Sequence, residues 1–216
     1  MIDSRPAAPL NLLQIAGASS WPAATLADAV LVIIDAQHEY VGGKLPLAGI
    51  AEAIAQCAHL LAAARAAGTP VIHVVHHSAP GRPIFDPLTV FAEIVPQLTP
   101  LSAEDVVVKR LPNAFAGTVL QARLKAIADA TGRKAVILAG FMTHMCISAT
   151  ARAALDLGIA ATVVGDACAT RDLPSPSGGV IAARIVHETA LAELADRFAT
   201  VVADAAAIAG VNAAAA

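Results

Sequence analysis

Val30-Leu31-Val32-Ile33-Ile34-Asp35 is an uninterrupted apolar run that ends on a carboxylate. A strand with one face in water alternates apolar and polar residues; a strand covered on both faces does not, so this run reads as a strand of a parallel sheet. The pattern recurs at Pro70–His76, Asp105–Lys109, Ala135–Gly140, Ala161–Asp166 and Thr200–Val202. Between these runs lie alanine-rich helical stretches: Ile50–Ala67 before Gly68, Gly117–Ala130 before Gly132, His144–Leu157 before Gly158, and Gly178–Arg197. Glycine just past the last periodic residue is a helix stop. Strands alternating with helices imply right-handed crossovers and an α/β fold, a single-domain three-layer α/β/α sandwich around a six-stranded, mostly parallel, Rossmann-like sheet.

That domain is expected over residues 29–204, preceded by an arm (1–28) carrying Pro6, Pro9 and Pro22 and followed by a tail (205–216) whose last four alanines fray. The connection Ser78–Glu104 is too long and proline-rich for an ordinary crossover, and loops of that length are usually functional, as lids or oligomer contacts.

Composition narrows the function. Of 216 residues, 14 are Lys or Arg and 17 Asp or Glu, a net charge of −3, which excludes the basic footprint of a nucleic-acid binder. The longest apolar runs fall far short of the roughly 20 residues that span a bilayer, so no membrane partner is expected. The N-terminus shows no basic cluster followed by an apolar segment, and three widely spaced cysteines make neither a disulfide framework nor a metal pair. They are expected as free thiols in the cytoplasm. The low charge and small side chains predict a partly apolar surface and hence a homo-oligomer, a dimer or tetramer.

In an open parallel sheet, ligands bind beyond the carboxyl ends of the strands. The strands deliver Asp35, His76 and His77, Lys109 and Asp166 to that edge, and the fourth leads through Gly140-Phe141-Met142-Thr143 to Cys146. With Thr143 as N-cap, Cys146 falls in the first helical turn, where the dipole lowers a thiol pKa from ~8.5 toward ~3.5–7.5. A lysine ~4 Å away favours the thiolate by about 4 kcal/mol at an effective dielectric near 20, before desolvation. A carboxylate raises the thiol pKa instead but offers itself as proton acceptor. Backbone N–H groups at Met142 and Cys146 are placed to form an oxyanion hole.

Each group has a plainer reading. Asp35 alone fits a helix cap, Lys109 beside Arg110 a solvated charge, and Cys146 a buried structural thiol like Cys57 inside its helix. Cys168 is the rival nucleophile, with no helix start behind it. His76 and His77 are consecutive in an extended segment and point to opposite faces. His73 reads as core, His59 as surface, His144 as a base or pocket wall, and His187 as structural and distant.

Ile33-Ile34-Asp35-Ala36-Gln37, Val107-Val108-Lys109-Arg110 and Ala139-Gly140-Phe141-Met142-Thr143-His144-Met145-Cys146 together resemble the three signatures of the isochorismatase-like cysteine hydrolases. Ala149–Gly158 and Val164–Ala169 match the family's style, so the resemblance runs from about Val30 to Val202. It implies an Asp35–Lys109–Cys146 triad in which Asp35 passes the thiol proton to the leaving amine, Lys109 supports the thiolate, and an acyl-thioester forms and is hydrolysed. It also implies a cis peptide at Phe141–Met142. Nicotinamidases of the family carry a metal-binding aspartate and paired histidines after the second strand; here that stretch is His76-His77-Ser78-Ala79-Pro80-Gly81-Arg82, with no aspartate in register, so neither metal nor cofactor is expected. True isochorismatases cleave a vinyl ether, and some lack the cysteine; its presence favours C–N hydrolysis of a small amide, ureide or lactam. The alternatives are the vinyl-ether reaction and a non-catalytic, redox-sensing thiol protein. Tyr40, Phe115, Phe141 and His144 are candidate walls of the small-molecule site and Gln37 a supporting hydrogen-bonder, each with a structural reading beside it. Arg82, Arg110 and Arg171 favour an acidic substrate.

Overall fold

The computed structural model describes residues 9–18 and 21–208; the remainder of the arm and the alanine tail lie outside the described residues. In chain order come α1 (Leu12–Ile15), β1 (Ala29–Ile34), α2 (Ile50–Ala66), β2 (Val71–His76), β3 (Asp105–Lys109), α3 (Leu120–Thr131), β4 (Ala135–Phe141), α4 (Ser148–Asp156), β5 (Ala161–Ala169), β6 (Leu173–Pro174), β7 (Val180–Ile181), α5 (Ala183–Glu193) and β8 (Thr200–Val202). The six long-range strands form one sheet in the order β3-β2-β1-β4-β5-β8, every neighbouring pair parallel.

β1 is central and every residue of it is buried, as its unbroken apolar run requires. Its side chains divide between two cores. Leu31 and Ile33 face α2 through Leu60 and Leu61, while Val30, Val32 and Ile34 face α3 through Leu120 and Leu124 and α4 through Ala151 and Ala154. The small buried residues of α4 let that helix lie close on the sheet. Strand order reverses between β1 and β4, and this switch point is where a doubly wound sheet opens a crevice.

Three elements differ from the sequence expectation. Gly178 and Gly179 have φ of 95° and 81°, which no α-helix accommodates, so the last long helix starts at Ala183 and residues 173–181 form a small antiparallel ribbon instead. The helix expected from His144 begins as a wide turn over Thr143–Ile147, in which the Ile147 N–H donates to the Met142 carbonyl at 3.2 Å, and becomes α-helical only at Ser148. β5 runs on to Ala169 because it re-pairs after a break: Leu138 stands opposite Val163, but Gly140 stands opposite Cys168. The described arm holds one turn of helix capped by Asn11 and Gln14, and crosses the β5–β8 edge, where Ala24 N–H donates to Thr162 Oγ1 and Thr200 Oγ1 to the Trp21 carbonyl.

Gly140 is required twice over. Its φ is 115°, and a Cβ there would lie 2.0 Å from the Ile34 carbonyl oxygen of the paired strand. Since that neighbour is backbone, Gly140→Ala is expected to cost about 3 kcal/mol, the upper end for overpacking. The check is a lowered urea midpoint at unchanged m-value against wild type.

Candidate active site

Asp35 follows β1 directly and has a φ of 53°, in the left-handed region that aspartate tolerates better than most residues. Its N–H donates to the Val74 carbonyl at 2.7 Å and its carbonyl accepts from Gln37 N–H at 2.8 Å, so the backbone is held on both sides. Lys109 closes β3 in register with His76, which closes β2. Cys146 lies in the wide turn after β4, across the switch point from Asp35. The peptide bond Phe141–Met142 is cis.

These side chains meet. Lys109 Nζ lies 2.7 Å from Asp35 Oδ2, 3.2 Å from Cys146 Sγ and 3.3 Å from His76 Nδ1. Asp35 and Lys109 are wholly buried, and Cys146 is 5% exposed. The Asp35–Lys109 contact is an ion pair without hydrogen-bond angles, so neither carboxylate oxygen has a hydrogen-bond partner among the described residues. A buried carboxylate left in that state is uncommon.

Burial decides the protonation states. It raises the Asp35 carboxyl above its ordinary range, against the lowering pull of Lys109. It pushes the Cys146 thiol up to about 12, with the Asp35 charge adding to the rise and Lys109 opposing it. The lowered thiol pKa expected from a helix dipole is therefore corrected. The thiol sits in a wide, buried turn, and Thr143 does not cap it: Thr143 Oγ1 pairs with His187 Nδ1 at 2.8 Å. The thiol therefore keeps its proton beside the Asp35–Lys109 ion pair. Moving the thiol proton to Asp35 leaves the cluster's net charge unchanged, so the three groups titrate as a unit.

Cys146 walls a cavity of about 250 Å³ together with Tyr40, His76, Phe85, Met142 and Arg171. Of the candidate substrate contacts, Tyr40 is on this wall. Phe141 lies behind it, edge-on to the Tyr40 ring at 5.9 Å between centroids. His144 turns away to Thr170 Oγ1 at 2.6 Å, and Phe115 packs on the core that α3 and α4 cover; neither lines the cavity. Gln37 is fully buried and holds the frame: its amide donates to the carbonyls of His76 and Ala92 and accepts from His76 N–H. His187, expected to be distant, braces the turn of Cys146 through Thr143. Cys57 is the structural thiol expected, donating to the Ala167 carbonyl. Cys168 is buried as well, on the rim of a separate cavity beside α5, and burial raises its thiol well above the ordinary range.

Sequence reasoning missed Ile84 and Phe85, which reach the cavity from the long connection; the length and proline content of that segment were the available signal. Of Arg82, Arg110 and Arg171, named together as favouring an acidic substrate, Arg171 is the one that lines this cavity. Arg171 is only partly exposed, and its Nε is buried without a hydrogen-bond partner among the described residues. His76 and His77 line a neighbouring cavity with Arg82 and Arg110, and among the described residues no three His, Cys, Asp or Glu side chains come together to hold a metal ion.

A family model described as the Isochorismatase domain matches residues 29–206. The chain belongs to the isochorismatase family. A secreted isochorismatase effector of Verticillium dahliae is 44% identical over 179 residues, 83% of this chain and 90% of that one. The crystal structure of an isochorismatase from Pseudomonas putida KT2440 superposes with a TM-score of 0.86 at 43% identity, covering 93% of this chain and 100% of the other. A maleamate amidohydrolase of Pseudomonas putida is 33% identical over 160 residues, 65% of this chain and 72% of that one. Isochorismatase-family membership makes this chain a hydrolase-family protein with the fold described above. Among its described residues no helix is long and apolar enough to cross a membrane.

The buried pair makes a stability prediction. Lys109→Met leaves Asp35 without its counter-charge and is expected to cost about 3–5 kcal/mol at neutral pH. A carboxyl raised on folding loses stability as pH climbs past its unfolded value, so the loss should be larger at pH 8 than at pH 5. Thermal melts should show Asp35→Asn/Lys109→Met recovering most of the deficit; equal melting temperatures for the single and double variants would break the coupling.

Proposed function

We propose that this protein is a cysteine hydrolase that cleaves the C–N bond of a small amide, ureide or lactam. One observation carries the reading: a buried carboxylate without a hydrogen-bond partner and a buried ammonium both lie against a thiol that walls a small, largely apolar cavity. Cys146 sulfur bonds to the substrate carbonyl carbon as the thiol proton passes to Asp35. Lys109 holds the carboxylate and offsets the charge growing on sulfur. The carbonyl oxygen takes up negative charge beside the N–H groups of Met142 and Cys146. The C–N bond breaks as Asp35 returns the proton to nitrogen, leaving an acyl-thioester and a free amine. Water then adds to the thioester carbon and gives a proton to Asp35, the acid departs, and the sulfur regains its proton.

The relative named maleamate amidohydrolase supports amide chemistry in this branch. Arg171 places a cation inside the cavity, which favours an amide that carries a carboxylate near its acyl group. Vinyl-ether hydrolysis needs an acid and water rather than a thiol, so the placement of Cys146 against Lys109 favours the C–N reaction. A redox-sensing role fits poorly, because a buried thiol raised to about 12 is almost wholly protonated and slow to oxidise.

All three cysteines are free thiols, the state of a reducing compartment, which supports a cytoplasmic place; the Verticillium relative is named as secreted. β3 is an edge strand with Val106 50% and Val108 44% exposed on one face. That apolar face supports a homo-oligomer.

Intact mass after mixing with a panel of small carboxy-amides should show an adduct equal to the acyl group, with amine release. Cys146→Ala should abolish both, and Asp35→Asn should slow turnover about 10²-fold or more with the fold intact. Turnover by the Cys146→Ala protein would remove sulfur from the mechanism. Light scattering should give a dimer or larger, reduced to a monomer by Val106→Lys/Val108→Lys; a monomeric wild type would refute the oligomer.

A further inference from the structure

A second cavity, of about 340 Å³, opens beside the catalytic one and shares His76 and Ile84 with it. On one side the His76 ring lies 3.3 Å from Lys109 Nζ, and on the other it faces His77, Ser78, Arg82 and Arg110. The ring is held edge-on against Phe85 at 5.1 Å between centroids and by the Gln37 clasp on its backbone. The two cavities are thus a chamber and its vestibule, divided by a fixed imidazole.

The vestibule's charge is one-sided. No Asp or Glu lines it, and the side chains of Arg82 and Arg110 make no hydrogen bond or ion pair with another described residue. Arg65, Arg123, Arg152 and Arg184 each have an acid partner. Asp86, the one acid of residues 78–89, is held by its own loop, accepting from the N–H groups of Gly81 and Leu88. Burial and the surrounding cations lower both histidines, His76 to about 4, so the two guanidinium groups supply the charge at neutral pH. Two exposed guanidinium groups that line one cavity without a counter-ion among the described residues, beside the reaction chamber, make a binding site for an anion.

We propose that this vestibule is a second subsite, taking a carboxylate at the far end of a substrate whose scissile amide lies at Cys146. The inference rests on the chamber being the reactive one. It extends that reading from a monoanionic amide, held at Arg171, to one with a second acid group placed past the His76 ring. Arg82 and Arg110 then determine specificity and take no part in bond cleavage.

The test is calorimetric titration of the full chain with glutarate, with monomethyl glutarate of similar length and one charge fewer, and with inorganic phosphate. Glutarate is expected to bind about tenfold tighter than the monoester at low salt. That advantage should vanish in Arg82→Gln/Arg110→Gln while the monoester's Kd is unchanged, and should shrink as ionic strength rises. Equal affinity for the two acids, a preference that survives the double replacement, or no binding of either at millimolar concentration would overturn the proposal. So would phosphate binding without a glutarate preference, which would assign the vestibule to a free anion. Calorimetry needs no turnover, so a failure of the thiol chemistry and a failure of the vestibule register separately.

Discussion

Lys109 and Asp35 form an ion pair from which water is excluded. An ammonium carried into an apolar sheet edge loses several kcal/mol of hydration, and only a counter-charge at close range offsets it. The carboxylate supplies that charge, but its own oxygens are left without hydrogen bonds among the described residues. The Cys146 thiol, 3.2 Å from the same ammonium, is the third member of the cluster. The arrangement that makes Lys109 tolerable in the interior thus also gathers a carboxylate and a thiol around one cation.

The buried setting fixes the state of that thiol. A surface cysteine at a helix start gains reactivity by releasing its proton to water. Here burial and the Asp35 charge hold the proton on sulfur, and the available route is a transfer inside the cluster, with no change in net charge. A neutral thiol at rest is protected from oxidants and alkylating agents. In the reaction proposed above, sulfur attacks a bound substrate as Asp35 takes the proton.

The frame around these groups is built from close approaches. Gly140 lets β4 lie against β1 where any side chain would meet the Ile34 carbonyl, which brings the turn holding Cys146 next to Asp35. Gln37 fastens the end of β2 to the long connection, and so fixes His76 where the two cavities adjoin. His187 reaches from α5 to Thr143 and braces the same turn from behind. None of these residues needs to touch substrate; each limits where a reacting group can stand.

The fold was legible in the sequence because strand periodicity is local: an unbroken run such as Val30–Ile34 fits only a strand buried on both faces. The meeting of Asp35, Lys109 and Cys146 followed from the rule that parallel strands deliver their ends to one edge. The sequence by itself thus determined the sheet, its covered faces and the edge at which those three groups meet. Direction and burial came only with tertiary structure, because they depend on contacts between residues far apart in the chain. His144 was drawn away by Thr170, Phe141 was screened by Tyr40, and Arg171 was turned inward. The thiol's protonation belongs to the same class, since it is set by how completely distant segments shut out water rather than by Cys146's own neighbours.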